Sequence, residues 1–181
     1  MKRVLQSLFI PVLAFMALNL SALNVYVTNT NNSGSGSLRQ AIIDANSNSS
    51  IDSIIFKIPK SDPNYNSVTG VFQIFVSGSS FPNLTNEGLV IDGTTQTKLI
   101  GNTNTAVHGS GGTVGTDQLT LNKTAGPEIE IIDNDNLQNG LVIQAPSITI
   151  KGLSIYGFGN TFSYNSDANI VVLGNYNFFN I

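Results

Sequence analysis

The chain has 181 residues, of which 10% are charged and 41% are hydrophobic, with eight basic side chains against eleven acidic ones and no cysteine. This composition excludes a helical bundle, whose surface needs many Glu, Lys and Arg residues, and it excludes disulfide bonds. The length fits one domain. Because Asn, Gly, Ser and Thr supply the polar surface and favour turns, we predict an all-β chain of many short strands joined by loops.

Residues 1–22 have the order of a secretory signal. Lys2 and Arg3 precede an apolar run, Val4–Leu20, and small residues up to Ala22 follow. The uninterrupted apolar core of this run is shorter than the roughly 20 residues that a transmembrane helix needs. We therefore predict export, with cleavage after Ala22 and a secreted or cell-surface location.

Removal of this signal leaves six basic residues against eleven acidic ones, a net charge of −5. Nucleic-acid binding is disfavoured, because neutralising phosphates requires clustered Lys and Arg side chains. We expect no nucleic-acid partner and no membrane span in the mature chain.

Residues 23–50 are predicted to form a strand, Leu23–Thr28, and then a helix. The sequence from Ser37 to Gln40 has the form of a capping box, in which the Ser hydroxyl accepts from the Gln amide and the Gln side chain reaches back. Apolar residues follow at helical spacing: Leu38, Ala41, Ile42 and Ala45. We predict one amphipathic helix near Ser37–Asn46, the only helix of the mature chain, which would cap the first β coil.

Residues 51–181 contain short apolar runs that predict strands. These runs are Ile54–Ile58, Val71–Val76, Leu89–Ile91, Leu119–Leu121, Ile129–Ile132, Leu141–Ile143, Ile148–Ile155 and Ile170–Leu173. Ser147–Gly152 aligns with Asn169–Gly174 at an offset of about 22 residues, a length typical of solenoid coils. The strand alternation resets at Gly152, as a bend between two faces of one coil requires. The pattern predicts a parallel β-helix of about six coils, with a β-sandwich as the alternative.

Several segments resemble, in the same order, those of exported bacterial right-handed parallel β-helix repeat proteins. They are Thr28–Ile42 with Ala45-Asn46, Phe81–Thr85, Val90–Gln96, Gly140–Ile143, Ile148–Ile155 and Gly174–Tyr176. The resemblance covers nearly the whole mature chain. It implies a right-handed β-helix at the N-terminal region of a large secreted or surface protein.

The end of the chain leads to a further expectation. Apolar Phe178 and Phe179 come just before the last residue, Ile181, and no capping element is visible after Ile170–Leu173. An uncapped coil exposes strand edges and an apolar interior. We expect the coils of residues 51–181 to be truncated at the C-terminus, and we expect self-association in that case.

Asp133 and Asp135 are the candidate metal ligands, because the Asp-Asn-Asp-Asn sequence alternates carboxylate and amide oxygens that suit Ca²⁺. The alternative is an ordinary turn between strands, which the same residues favour. Apart from this calcium hypothesis, the sequence predicts no cofactor.

Three other polar residues are candidates for catalytic groups. Asp92 follows a strand as catalytic carboxylates do, but glycosidases need two carboxylates held together, and a structural corner is the preferred interpretation. Arg39, the one arginine of the mature chain, lies in the predicted helix, where a salt bridge or a surface role is expected. His108 is a lone histidine in a predicted loop. The sequence therefore nominates no catalytic residue.

Aromatic residues are concentrated in the last third of the chain, and Tyr156, Tyr164 and Tyr176 are candidates for stacking on sugar rings. Packing inside the β-helix is the alternative. We predict a non-catalytic secreted or cell-surface module, structural or adhesin-like, with a polysaccharide or a host or cell-surface ligand as partner. The alternatives are a polysaccharide-degrading enzyme, lyase or glycosidase, and a carbohydrate-binding module.

Overall fold

The computed structural model of the chain describes residues 22–109, 111–159 and 167–173. These residues form short strands and two short helices, so the all-β class predicted from composition is confirmed. The strands are β1 (Leu23–Val27), β2 (Ile51–Phe56), β3 (Tyr65–Asn66), β4 (Val71–Val76), β5 (Val90–Asp92), β6 (Val107–His108), β7 (Thr113–Val114), β8 (Leu119–Thr120), β9 (Thr124–Ala125), β10 (Ile129–Asp133), β11 (Asn139–Ile143), β12 (Thr149–Lys151), β13 (Leu153–Tyr156) and β14 (Ala168–Val172), and the helices are α1 (Leu38–Ser47) and α2 (Thr94–Ile100).

Three sheets contain most of these strands. Sheet I has the order β1-β2-β5-β12, sheet II the order β13-β10-β4-β3, and sheet III pairs β11 with β14. Every pairing in sheets I and III is parallel, and sheet II is parallel except for the short β3–β4 pair. The chain visits the sheets in rotation, because β10 to β14 lie successively in sheets II, III, I, II and III.

Buried isoleucine residues pair across the parallel strands of sheet I. Ile54 lies beside Ile91, and Ile91 lies beside Ile150 in sheet I. All three side chains are buried in one apolar core. These contacts place the interior on the same side of each strand, and burial of branched apolar side chains stabilises it by about 2 kcal/mol for each residue.

The predicted 22-residue repeat is wrong. Ile150 belongs to sheet I, whereas Val172, the residue with which it aligns, pairs with Ile143 in sheet III, 29 residues away. The paired residues Ile54 and Ile91 are 37 residues apart. Insertions of unequal length separate the strands, and strands of different sheets share the same apolar pattern, so the alignment matched segments that are not neighbours.

The predicted bend at Gly152 is confirmed. Strand β12 ends at Lys151 in sheet I, and β13 begins at Leu153 in sheet II. Gly152 has φ +66°, and a Cβ there would lie 2.7 Å from the backbone nitrogen of Thr94. Only glycine meets both demands without strain.

Helix α1 begins where the sequence predicts. The Ser37 hydroxyl accepts from the Gln40 backbone amide at 3.2 Å, and the four predicted apolar residues are buried. The capping box is only half formed, however, because the Gln40 side chain donates to Asp44 at 2.8 Å, and the Ser37 amide donates to the Gly34 carbonyl instead. The helix packs against β1 and β2.

Helix α2 shows that the prediction of a single helix is wrong. Its seven residues carry no apolar stripe, and Gln96 is its one buried residue. The Gln96 side chain accepts from the Ile58 amide at 2.8 Å and donates to the Ile58 carbonyl at 2.7 Å. The Thr95 hydroxyl accepts from the Phe56 amide. Polar side chains therefore dock this helix beside β2.

No helix among the described residues is long and apolar enough to cross a membrane.

Candidate functional site

The outward face of sheet II carries two rows of side chains. Alternation in β4, β10 and β13 sends one set of side chains into the core and the other set outward. The outward set forms a polar row of Gln73, Glu130 and Ser154 and an apolar row of Phe75, Ile132 and Tyr156. We call these six residues the platform.

The ring of Tyr156 is held in place on the platform. Its hydroxyl donates to Glu130 Oε2 at 3.2 Å, and the Gln73 side-chain amide donates to the same oxygen at 3.1 Å. Tyr156 is 40% exposed. Burial, together with the charge of Glu130 and its hydrogen bond, raises the pKa of Tyr156 above its ordinary value. The phenol therefore stays a neutral donor at physiological pH.

A groove of about 700 Å³ lies beside the platform. Helix α2 supplies one wall, and β6 and β9 supply another. Its polar lining residues include Thr97, Lys98, His108, Thr124, Glu128 and Ser154. Ser154 belongs to both the platform and the groove, so the two form one continuous surface.

His108 and Lys98 are exposed residues of this groove. The predicted loop position of His108 is wrong in detail, because the residue lies in β6, which pairs with β9. We call residues 104–126, which contain the antiparallel pairs β6–β9 and β7–β8, the arm. The groove is thus bounded on one side by this insertion between α2 and β10.

Glu128 ties the base of the arm to the sheets. Its side chain is buried and accepts a hydrogen bond from the Thr103 hydroxyl. The backbone amides of Thr103 and Asn104 also donate to it, each at 3.0 Å from the nearer carboxylate oxygen. The Asn104 side chain in turn donates to the Pro127 carbonyl at 2.7 Å. These bonds close a loop of more than twenty residues at one carboxylate.

Asp92 lies at the end of β5, close to the groove. Lys151 Nζ is 3.1 Å from its carboxylate, and Thr94 donates to it through its backbone amide at 3.0 Å and its hydroxyl at 2.6 Å. Burial raises the pKa of Asp92, but the bonds from Thr94 and Lys151 more than offset this, so the pKa lies below its ordinary value. These contacts are those of a structural corner.

Asp133 and Asp135 lie in the turn after β10. The Asp133 carboxylate accepts from the Asp135 amide at 3.0 Å and from the Leu137 amide at 2.8 Å. Asp135 accepts from the Gly78 amide at 2.7 Å. Each carboxylate thus binds backbone amides, which favours the turn interpretation over Ca²⁺. Among the described residues, no three His, Asp or Glu side chains lie close enough to hold a metal ion.

Arg39 joins α1 to two loops. Its guanidinium donates to the carbonyl oxygens of Asn32, Ser79 and Ser80 at 3.0, 2.7 and 2.6 Å. It also lies 5.1 Å from the ring centroid of Phe81. All these partners are neutral, so Arg39 binds backbone oxygens in place of the salt bridge that is one of its two expected roles.

Of the three tyrosines predicted to stack on sugars, Tyr156 lies on the platform, whereas Tyr164 and Tyr176 lie outside the described residues. Phe75, Ile132 and Glu130 are not among the residues predicted from the sequence. The alternation within β4 and β10 carried the signal for an outward face, but the strand pairing was needed to place these residues beside Tyr156. Comparison of the chain with protein-family models, curated proteins and solved structures gave no match.

Proposed function

We propose that the chain is a right-handed parallel β-helix that serves as a non-catalytic, adhesin-like module of a secreted or cell-surface protein. The rotation of β10 to β14 through sheets II, III, I, II and III supports the β-helix, because stacked coils return to the same face once in each turn. The parallel bridge between Leu84 and Ile143 extends this order to an earlier turn.

The bonding of the carboxylates near the groove carries the non-catalytic part of this proposal. A general acid or base must exchange a proton with the substrate, and glycosidases use two such carboxylates on either side of the bond. Here Glu128 accepts from Thr103 and Asn104, and Asp92 accepts from Thr94 and Lys151. Both groups act as acceptors that hold loops and strand ends together.

A panel of neutral and acidic polysaccharides tests this proposal. The purified chain is incubated with each polymer, and new reducing ends and unsaturated products are measured. We expect no product above the level given by heat-denatured protein. Turnover that is abolished by Glu128→Gln or Asp92→Asn, but retained in the exposed control Glu87→Gln, would contradict a non-catalytic role.

The export part of the proposal has its own test. The apolar run before Ala22 supports cleavage after that residue. Sequencing of the mature protein from its N-terminus should therefore begin at Leu23. A mature protein that retains Lys2 and Arg3 would contradict cleavage.

A further inference from the structure

We infer that the platform on sheet II binds a neutral glycan chain, with Tyr156 and Phe75 as stacking residues and Glu130 as a hydrogen-bond acceptor. This inference rests on the proposed function and specifies the ligand class of that surface module.

The apolar row supplies the stacking surface. Ile132 pairs with Phe75 on one side and with Tyr156 on the other. Strands in a sheet lie about 4.8 Å apart, so the two aromatic residues stand about 10 Å from each other, with an aliphatic side chain between them. A row of this length suits an extended ligand with repeated flat apolar faces, which is how a chain of sugar rings presents its C–H groups.

The fixed geometry of Tyr156 favours binding. Its hydroxyl is bonded to Glu130, so the ring is already ordered before a ligand arrives. A pre-ordered aromatic side chain loses little conformational entropy on binding, which is why such rings are efficient contact residues.

The polar row supplies groups for sugar hydroxyls. Both bonds to Glu130 reach the same oxygen, Oε2, and among the described residues no bond to Oε1 accompanies them. Oε1 is therefore free to accept from a ligand hydroxyl. Ser154 belongs to the same row and also lines the groove.

The charge of the platform selects the class of glycan. Glu130 is the ionisable carboxylate at its centre, and its contacts, Gln73 and Tyr156, are neutral. An acidic sugar would place a second negative charge beside it, which is unfavourable. The platform therefore favours a neutral glycan over a polyuronate.

The test compares binding of soluble hexasaccharides to the full mature chain. The probes are neutral hexamers of glucose, mannose and xylose, with a galacturonate hexamer as the anionic control, and calorimetry gives the dissociation constants. Tyr156→Ala removes the stacking ring. Tyr26→Ala is the matched control, because Tyr26 is 48% exposed and lies in β1 of sheet I.

We expect at least one neutral hexamer to bind, and we expect Tyr156→Ala to weaken that binding about tenfold while Tyr26→Ala leaves it unchanged. Phe75→Ala should act in the same direction, and thermal unfolding of each variant verifies that the fold is retained. The inference is overturned if no neutral hexamer binds, if the galacturonate hexamer binds more tightly, or if the two tyrosine variants bind alike. Conversion of a dimer to a monomer by Tyr156→Ala, with hexamer binding unchanged, would assign the platform to a second copy and would also overturn it.

These outcomes are separable from those of the proposed function. Cleavage of a bound hexamer would contradict the non-catalytic role while leaving the platform as its binding site. Loss of all binding, without cleavage, would overturn the platform inference alone.

Discussion

Burial and hydrogen bonding change the pKa of the Asp92 carboxylate in opposite directions. Burial raises its pKa, and the bonds from Thr94 and Lys151 lower it further than burial raises it. A carboxylate with a lowered pKa in the folded state stabilises the fold above its unfolded pKa of about 3.9, and this stabilisation is lost as the pH falls through the folded-state value.

Asp92→Asn should therefore lower the free energy of unfolding by about 1 kcal/mol at pH 7. The difference from the unmodified chain should shrink below about pH 4, because the Asp92 carboxylate is protonated first in the unfolded chain and only at lower pH in the folded one. Urea unfolding of both proteins at a series of pH values measures this difference in unfolding free energy. The exposed control Asp117→Asn should change little, and a difference for Asp92→Asn that is constant from pH 7 to pH 3 would contradict the assignment.

Glu128 gives a second prediction for a single residue. In Glu128→Gln, one side-chain oxygen becomes an NH₂ group that faces the amides of Thr103 and Asn104, so donors oppose donors. We expect a loss of about 2 kcal/mol of unfolding free energy. Hydrogen exchange should also become faster at these two amides and along the arm.

Glu87→Gln is the matched control, because Glu87 is exposed. Unchanged exchange at Thr103 and Asn104 in Glu128→Gln would show that Glu128 does not hold the base of the arm.

The turn between β5 and α2 depends on the close approach of two backbone segments. Gly93 has an ordinary φ of −65°, but a Cβ there would lie 2.1 Å from the Gly152 carbonyl oxygen. Gly93→Ala should cost about 3 kcal/mol or more, because the backbone of both segments must move.

Gly88→Ala separates this steric effect from backbone strain. Gly88 has φ +76° with open space around its Cβ position, so its substitution should cost about 1–2 kcal/mol. Thermal unfolding of both variants tests the comparison, and equal midpoints would contradict the packing of Gly93 on Gly152.

The two helices show why some elements can be predicted from the sequence and others cannot. Helix α1 has a Ser cap and a buried apolar stripe, both of which are local patterns. Helix α2 is rich in threonine and is held by Gln96 and Thr95, whose partners Ile58 and Phe56 lie almost forty residues earlier. Contacts of that range leave no periodic signal in the helix itself.

The same reasoning applies to the candidate site. Composition indicates Tyr156 as a candidate, because aromatic residues are concentrated in the last third of the chain. Its neighbours Ile132 and Phe75 become visible only through the register of sheet II, which joins residues 24 and 57 positions apart. The insertion that forms the arm lies between β4 and β10, so the sequence spacing does not indicate that Phe75 and Ile132 are in contact.

At the scale of the whole molecule, we propose that the chain stacks parallel strands around one apolar interior. The direction of the paired strands distinguishes this arrangement from a β-sandwich, because neighbouring strands of a sandwich are antiparallel. Consecutive strands such as β10 and β11 should then lie in different sheets, as they do in the rotation through sheets I, II and III.

Nuclear Overhauser contacts in the isotopically labelled chain test this claim most directly. We expect backbone contacts that connect Ile54 to Ile91 and Ile91 to Ile150 in the parallel pattern, and others that connect Leu141 to Ile170. Short Hα–Hα contacts that pair β10 with β11 as an antiparallel hairpin would contradict it.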